Sequence, residues 1–312
     1  MSMKGMNEIR MNKEVYAKIP NKILSVKTGR IINDKNEFTN KGSYYELIKD
    51  DKLFKIVWEL IIGSNYRMTT LTSIGRLIKY CGYRLSDDNI KSFKNLIYKM
   101  HDKEIITILD YKEKADLKVN DVFEIDMEKI INDTEDGYTV IEQVELDLIN
   151  SISANNKQRN TLFKCYLFIK LMVHKREDNS YKGLAFGCES QSVTMDYKYI
   201  FKYTNVADIT KCIKLLSENN MIMYENFLIH KLDELEKKHD ASNTYVVQAL
   251  QENWDLEQTK EELKIGVKQY KKRKEEKGFI VTKKYINNDK SVNGMKGKIQ
   301  QMKNKLNKEE NR

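Results

Sequence analysis

Cysteine is scarce in this 312-residue chain, and its placement offers little chemistry. Cys81, Cys165, Cys188 and Cys212 form no CxxC pair, and no histidine stands at zinc-ligand spacing from them. This excludes a zinc finger or a dense disulfide framework and fits buried free thiols in a reducing cytoplasm. Long apolar runs are missing as well. No stretch approaches the roughly 20 residues that a membrane span needs. The start, MSMKGMNEIRMNKEV, has no apolar signal-peptide core, so no membrane contact and a cytoplasmic location are expected. A phosphate-cradling GxxxxGK[ST] loop is absent, since GMKGKI near the end has the wrong spacing. The four histidines, His101, His174, His230 and His239, are isolated, with no HxH pair to hold the metal of a nicking enzyme. The acids of INDTEDG (131–137) sit in an acidic connector and read as solvated linker rather than a metal site. No catalysis, metal or cofactor is therefore expected. Proline occurs once, at Pro20; beside the many Lys, Asn and Ile residues this reflects an AT-rich coding bias and says nothing of mechanism.

What the chain does have is apolar residues enough for real cores, 40% of the total, and an uneven charge. Its length suits two domains of roughly 100–150 residues with additions. The net charge of +9 divides into blocks: residues 1–109 carry 20 Lys and Arg against 12 Asp and Glu, and residues 110–151 carry 4 against 13. Residues 152–267 balance at 16 each, and residues 268–312 carry 15 against 5. Two basic blocks thus flank an acidic connector and a neutral second half. Basic blocks attract polyanions, nucleic acid above all.

A helix-to-strand unit occurs twice. In SDDNIKSFKNLIYKMHDKEIITI (86–108), an acidic start with Ser86 or Asp87 as N-cap leads into Ile90, Phe93, Ile97 and Met100, then a polar break and a β-prone run. Val206, Ile209, Ile213, Leu216 and Met221 repeat Ile90, Phe93, Ile97, Met100 and Ile105 at a constant offset of 116. Helical segments precede each copy, DKLFKIVWELIIGS and LTSIGRLIKYCG before the first and TLFKCYLFIKLMVHK and DYKYIFKYT before the second. Short β-prone lead-ins, VYAKIPNKIL (15–24) and YTVIEQVELDLI (138–149), come before those. Helix, helix, turn, helix and β-hairpin in this order predict a winged helix-turn-helix, here in tandem. The expected fold class is mainly α with small β-hairpins (α+β), followed by a C-terminal helix and a basic tail.

A helix about 10–12 Å across fits the DNA major groove, so the outward face of the third helix in each unit is the candidate reading surface. In the first copy Lys91, Asn95, Tyr98 and Lys99 point outward, flanked by Ser92. In the second, Lys211 and Lys214 do so. The first wing, DYKEKADLKVND, offers Lys112, Lys114 and Lys118 to phosphates, though with four acids beside them. The second wing turns tightly at Glu225–Asn226 and suits packing or the pairing of two protomers. Residues 244–278 read as a further helical region with a stripe of Leu256, Leu263, Val267 and Tyr270, Asp255 as N-cap and a basic end at Lys271, Lys272 and Arg273. The expected organisation is a flexible start (1–15), a first winged-helix domain (16–125), an acidic linker (126–137), a second domain (138–232), the helical region (240–278) and a basic, disordered tail (279–312).

Tandem winged helices with β-prone lead-ins, and stretches such as YAKIPNKIL and IKLLSENNMI, resemble plasmid replication initiators and phage replisome-organiser proteins of low-GC bacteria. The resemblance implies binding of repeated origin sequences in double-stranded DNA through both units, recruitment of host replication proteins, and a homodimer in exchange with monomer. The neutral second half departs from that pattern. A transcriptional regulator built on the same modules, and a protein-interaction scaffold that binds no DNA, remain open at this point, because fold alone does not separate them.

Overall fold

The computed structural model describes residues 15–32, 35–109, 117–133, 135–153, 155–173, 191–231, 239–248 and 256–284. The chain enters through β1 (Tyr16–Pro20), one 3-10 turn (Asn21–Ile23) and the hairpin of β2 (Val26–Ile32) and β3 (Lys35–Thr39). Next come α1 (Tyr44–Ile48), α2 (Leu53–Ile62), β4 (Thr69–Thr72), α3 (Ile74–Tyr80), α4 (Asp87–Asp102), β5 (Thr107–Ile108) and β6 (Phe123–Asp126). Ser43, Ser73 and Ser86 each accept a backbone N–H at the start of α1, α3 and α4, which fixes where these helices begin. The strands β4, β6 and β5 form one antiparallel sheet, with Leu71 opposite Glu124 and Thr107 opposite Asp126.

The stretch expected as a bare acidic linker is built into the fold. It contains the end of β6 and a short helix, α5 (Glu128–Asn132), and the Asp126, Asp133 and Asp136 carboxylates accept hydrogen bonds. Lys22 lies 2.9 Å from Asp133, whose carboxylate also accepts a hydrogen bond from the Tyr44 hydroxyl, and Asn21 donates to the Asp136 carbonyl at 2.9 Å. The chain then forms β7 (Tyr138–Glu142), which pairs not with a neighbour in sequence but with β1, antiparallel, from Tyr16 opposite Glu142 to Pro20 opposite Tyr138. The inward residues of this ribbon, Ala17, Ile19 and Ile141, are fully buried.

After β7 follow α6 (Gln143–Ile152) and α7 (Asn156–Met172). A capping box between Glu142 and Glu145 starts α6. Next come β8 (Val193–Met195), α8 (Tyr197–Thr204), α9 (Ile209–Glu218), β9 (Ile222–Glu225), β10 (Phe227–Lys231), β11 (His239–Asp240), β12 (Asn243–Val247), α10 (Leu256–Glu275) and β13 (Phe279–Lys283). Both halves contribute to one hydrophobic core, from Ala17 and Trp58 through Phe93 to Phe168, Ile213 and Tyr245.

This architecture corrects the expected fold class. The described residues form an α+β mixture with five small sheets, and nothing among them marks off two tandem winged helices. The second half departs most clearly. The expected β9–β10 hairpin does not form; β9 pairs with β12 in the sheet β8-β12-β9, while β10 pairs with β11 and β13 in another. Two features account for it. NTYVV, expected as part of a helical region, is β-branched and aromatic, and its first four residues are all buried, which suits a central strand. Phe227 meanwhile is drawn into a second small core with Val267, Tyr270 and Val281. α10 docks on β12 and β13, as its apolar stripe suits, and residues 279–283 of the expected disordered tail close a sheet.

Candidate nucleic-acid interface

The strongest candidate surface lies on α4. Its inner face carries Phe93, Leu96, Ile97 and Met100, all buried, and Phe93 meets the ring of Tyr83 edge-on at 5.5 Å. Ser86 accepts the Asn89 N–H at 3.4 Å, and the Asn89 side chain returns a hydrogen bond to the Arg84 carbonyl at 2.9 Å, pinning the turn into the helix. Asp87 and Asp88 occupy the first turn, where negative charge suits the helix dipole but repels phosphate.

Of the outward residues on α4, two fit a reading role and two are committed to the fold. Lys91 and Asn95, four residues apart, are exposed and make no hydrogen bond or ion pair among the described residues. Ser92 beside them is half-buried. The Tyr98 hydroxyl accepts the Leu117 N–H at 3.0 Å, tying α4 to the segment before β6. The Lys99 ammonium donates to the Ile48 carbonyl at 2.6 Å and so holds the C-terminal end of α1. Those two side chains brace the helix rather than face a ligand. Sequence spacing placed all four outward but could not show which carbonyl or amide lay within their reach.

The remaining expected contacts are scattered. Lys118 is exposed in a turn closed by its own N–H to Asp121 at 3.1 Å, and Lys112 and Lys114 lie outside the described residues. On α9, Lys211 is exposed next to the Asp208 cap, and the Lys214 ammonium stands 3.8 Å from Glu218, a loose surface pair. Lys272 and Arg273 occupy the last turn of α10 and are exposed, and Lys271 just before them is half-buried. Cations there complement the helix dipole and need no ligand to explain them. Sequence reasoning passed over Lys79 on α3 and Lys198 and Lys202 on α8, which are also exposed. They lie on segments read only for their apolar spacing.

The interior is rich in buried charge that serves structure. Lys164 donates to Asp51 at 2.5 Å and to the Tyr45 hydroxyl at 2.7 Å, joining α7 to the loop before α2. Lys170 and Tyr166 both donate to Glu145. Lys55 reaches Asn150 at 2.6 Å across α2 and α6, and burial lowers its pKa to about 8. Burial likewise pushes the Cys81 thiol up to about 12, leaving it unreactive at neutral pH. Cys165 and Cys212 are buried too, His101 accepts the Ile108 N–H through Nδ1 at 3.3 Å, and His230 is buried in β10. Cys188 and His174 lie outside the described residues. Among the described residues no three His, Cys, Asp or Glu side chains group as a metal site. None of the helices described is long and apolar enough to cross a membrane.

The chain matches no protein-family model. None of the curated proteins matches it either.

Proposed function

We propose that this chain binds double-stranded DNA in a sequence-specific way and acts at a replication origin, where it grips repeated sites and recruits host replication proteins. The observation that carries the DNA-binding part is the outer face of α4. A capped 16-residue helix, backed by four buried apolar side chains, presents a lysine and an asparagine whose side chains have no partner among the described residues. Lysine serves phosphates or guanine, and asparagine can pair bidentately with the N6 and N7 edge of adenine. The net charge of +9 and the basic first block favour approach to a polyanion. The origin-binding part rests on the sequence resemblance of YAKIPNKIL and IKLLSENNMI to replication initiators.

The test starts by selecting preferred duplexes from a random pool with the full chain. The wild type, Asn95→Ala and Lys91→Ala are then titrated on the selected and a scrambled duplex at matched salt. Asn95→Ala should cost roughly 1–3 kcal/mol on the selected duplex and much less on the scrambled one. Equal losses on both, or none on either, would show that α4 does not read sequence. Failure of the wild type to bind any duplex in a salt-dependent way would end the DNA-binding reading altogether.

A further inference from the structure

A second surface goes unused by the proposal above. A cleft of about 480 Å³ opens between the end of α7, β8 and the start of α8. Met172, Val193 and Met195 give it an apolar floor, and Lys198, Lys202, Tyr199 and Ser242 complete its lining. The one acid among its described lining residues, Asp196, is already engaged as the N-cap of α8, accepting the Tyr199 N–H at 2.6 Å. Lys198 and Lys202 are exposed, one helical turn apart, and neither ammonium has an acidic partner among the described residues.

The helix that carries them is held unusually firmly for its eight residues. Tyr203 stacks on Phe168 of α7 at 4.9 Å, and its hydroxyl donates to the Phe38 carbonyl at 2.7 Å. Asn40 donates to the Lys202 carbonyl at 2.8 Å, and Asn205 closes the helix in the left-handed conformation. α8 is therefore clamped between α7 and the β2–β3 hairpin, and the two lysine stems start from a fixed base. Ordering such a base beforehand removes part of the entropy cost of binding.

We infer that this cleft seats the sugar–phosphate backbone of the DNA, with Lys198 and Lys202 contacting phosphates and the apolar floor meeting the deoxyribose. The inference rests on the DNA-binding reading and extends it to a second, sequence-blind contact. A free nucleotide is the lesser fit, because both lysines are exposed and no buried polar group is placed to read a base. A backbone contact instead needs an open cleft with mobile donors at its edge.

The experiment measures the affinity of the full chain for selected and scrambled duplexes from low to moderate salt. The Lys198→Ala/Lys202→Ala variant is compared with Lys260→Ala/Lys264→Ala, which removes the same charge from exposed lysines already paired to Glu257 and Glu261. The cleft variant should weaken both duplexes by a similar factor. It should also flatten the slope of log affinity against log salt by about 1–2, because each lost phosphate contact removes roughly 0.9 of a released counterion. The control pair should leave the slope unchanged. Thermal melting confirms that both variants are folded. An unchanged slope in the cleft variant, or an equal change in the control, overturns the inference while leaving the α4 reading intact. So does retention of a mononucleotide that the cleft variant abolishes without any change on duplex DNA. A wild type that binds no duplex overturns both.

Discussion

Replacing Lys55 with methionine should stabilise the protein at neutral pH, and the reason lies in how that lysine is buried. Its side chain is 1% exposed, and its ammonium has one clear partner, the neutral Asn150 side chain at 2.6 Å. Burial lowers its pKa from 10.5 to about 8, with the charge of Arg159 adding to the same effect and Cys81 opposing it. A difference of that size corresponds to roughly 3 kcal/mol against the ammonium in the folded chain. Methionine keeps most of the length without the charge, but it leaves the half-buried Asn150 oxygen without its donor, at a cost of about 1–2 kcal/mol. The net expectation at pH 7 is a gain of about 1–2 kcal/mol. The pH dependence makes the test specific. Between about pH 8 and 10 the unfolded chain still holds the Lys55 proton while the folded chain has lost it, so wild-type stability rises with pH. The methionine variant lacks that rise. Urea denaturation at pH 7, 8, 9 and 9.5 should show its advantage shrinking to about zero. Lys164, whose pKa burial also lowers, contributes equally to both proteins and cancels. A variant less stable by the same amount at every pH would show that the folded chain does not disfavour the Lys55 charge.

Two further substitutions probe the frame. Phe93→Ala removes a fully buried ring from the base of α4 and the edge-on contact with Tyr83, and should cost about 3–5 kcal/mol in a denaturant titration. If the cost is under about 1 kcal/mol, α4 is not anchored as described. Gly137→Ala should be destabilising by about 1–3 kcal/mol for two reasons. Gly137 has φ +84, and a Cβ there would stand 2.9 Å from the Asn21 amide nitrogen, which itself donates to Asp136. A melting temperature equal to wild type would show that the Asn21 turn yields at no cost.

The parts of the fold that could be read in advance are those decided within one element. The start of α4 at Ser86 and its Phe93, Ile97 and Met100 face follow from capping chemistry and helical spacing, and both are present. The misreadings come from contacts with distant chain. On α2 an apolar face was visible, but Lys55 and Glu59 on the other side are buried too, because neighbouring elements cover both sides. On α8 Phe201 is 48% exposed, whereas Tyr203 is buried because Phe168 offers it a stacking partner. Within α10, Thr259 and Glu262 are fully buried while Leu256 is exposed, so the apolar stripe misplaced part of the packing face. As for the candidate interface, residue type and spacing nominated Lys91, Asn95, Tyr98 and Lys99 alike. Only the positions of the Leu117 amide and the Ile48 carbonyl separate the free pair from the structural pair.

The pairing of β1 with β7 has a consequence for how the chain comes into being. Tyr16 faces Glu142 across that ribbon, so one of the earliest strands to be synthesised completes its hydrogen bonds only after more than a hundred further residues exist. At about 5–20 residues per second, the strand waits roughly 6–25 s on a translating ribosome. Until then, the apolar side of β1, with Ala17 and Ile19, has no sheet partner from β7 and is exposed to wrong pairings. The segment from β1 to β6 therefore cannot mature as a finished unit before β7 has been made. A nascent chain halted near residue 130 should remain protease-sensitive at β1, and one extended past the end of α6 should become resistant there.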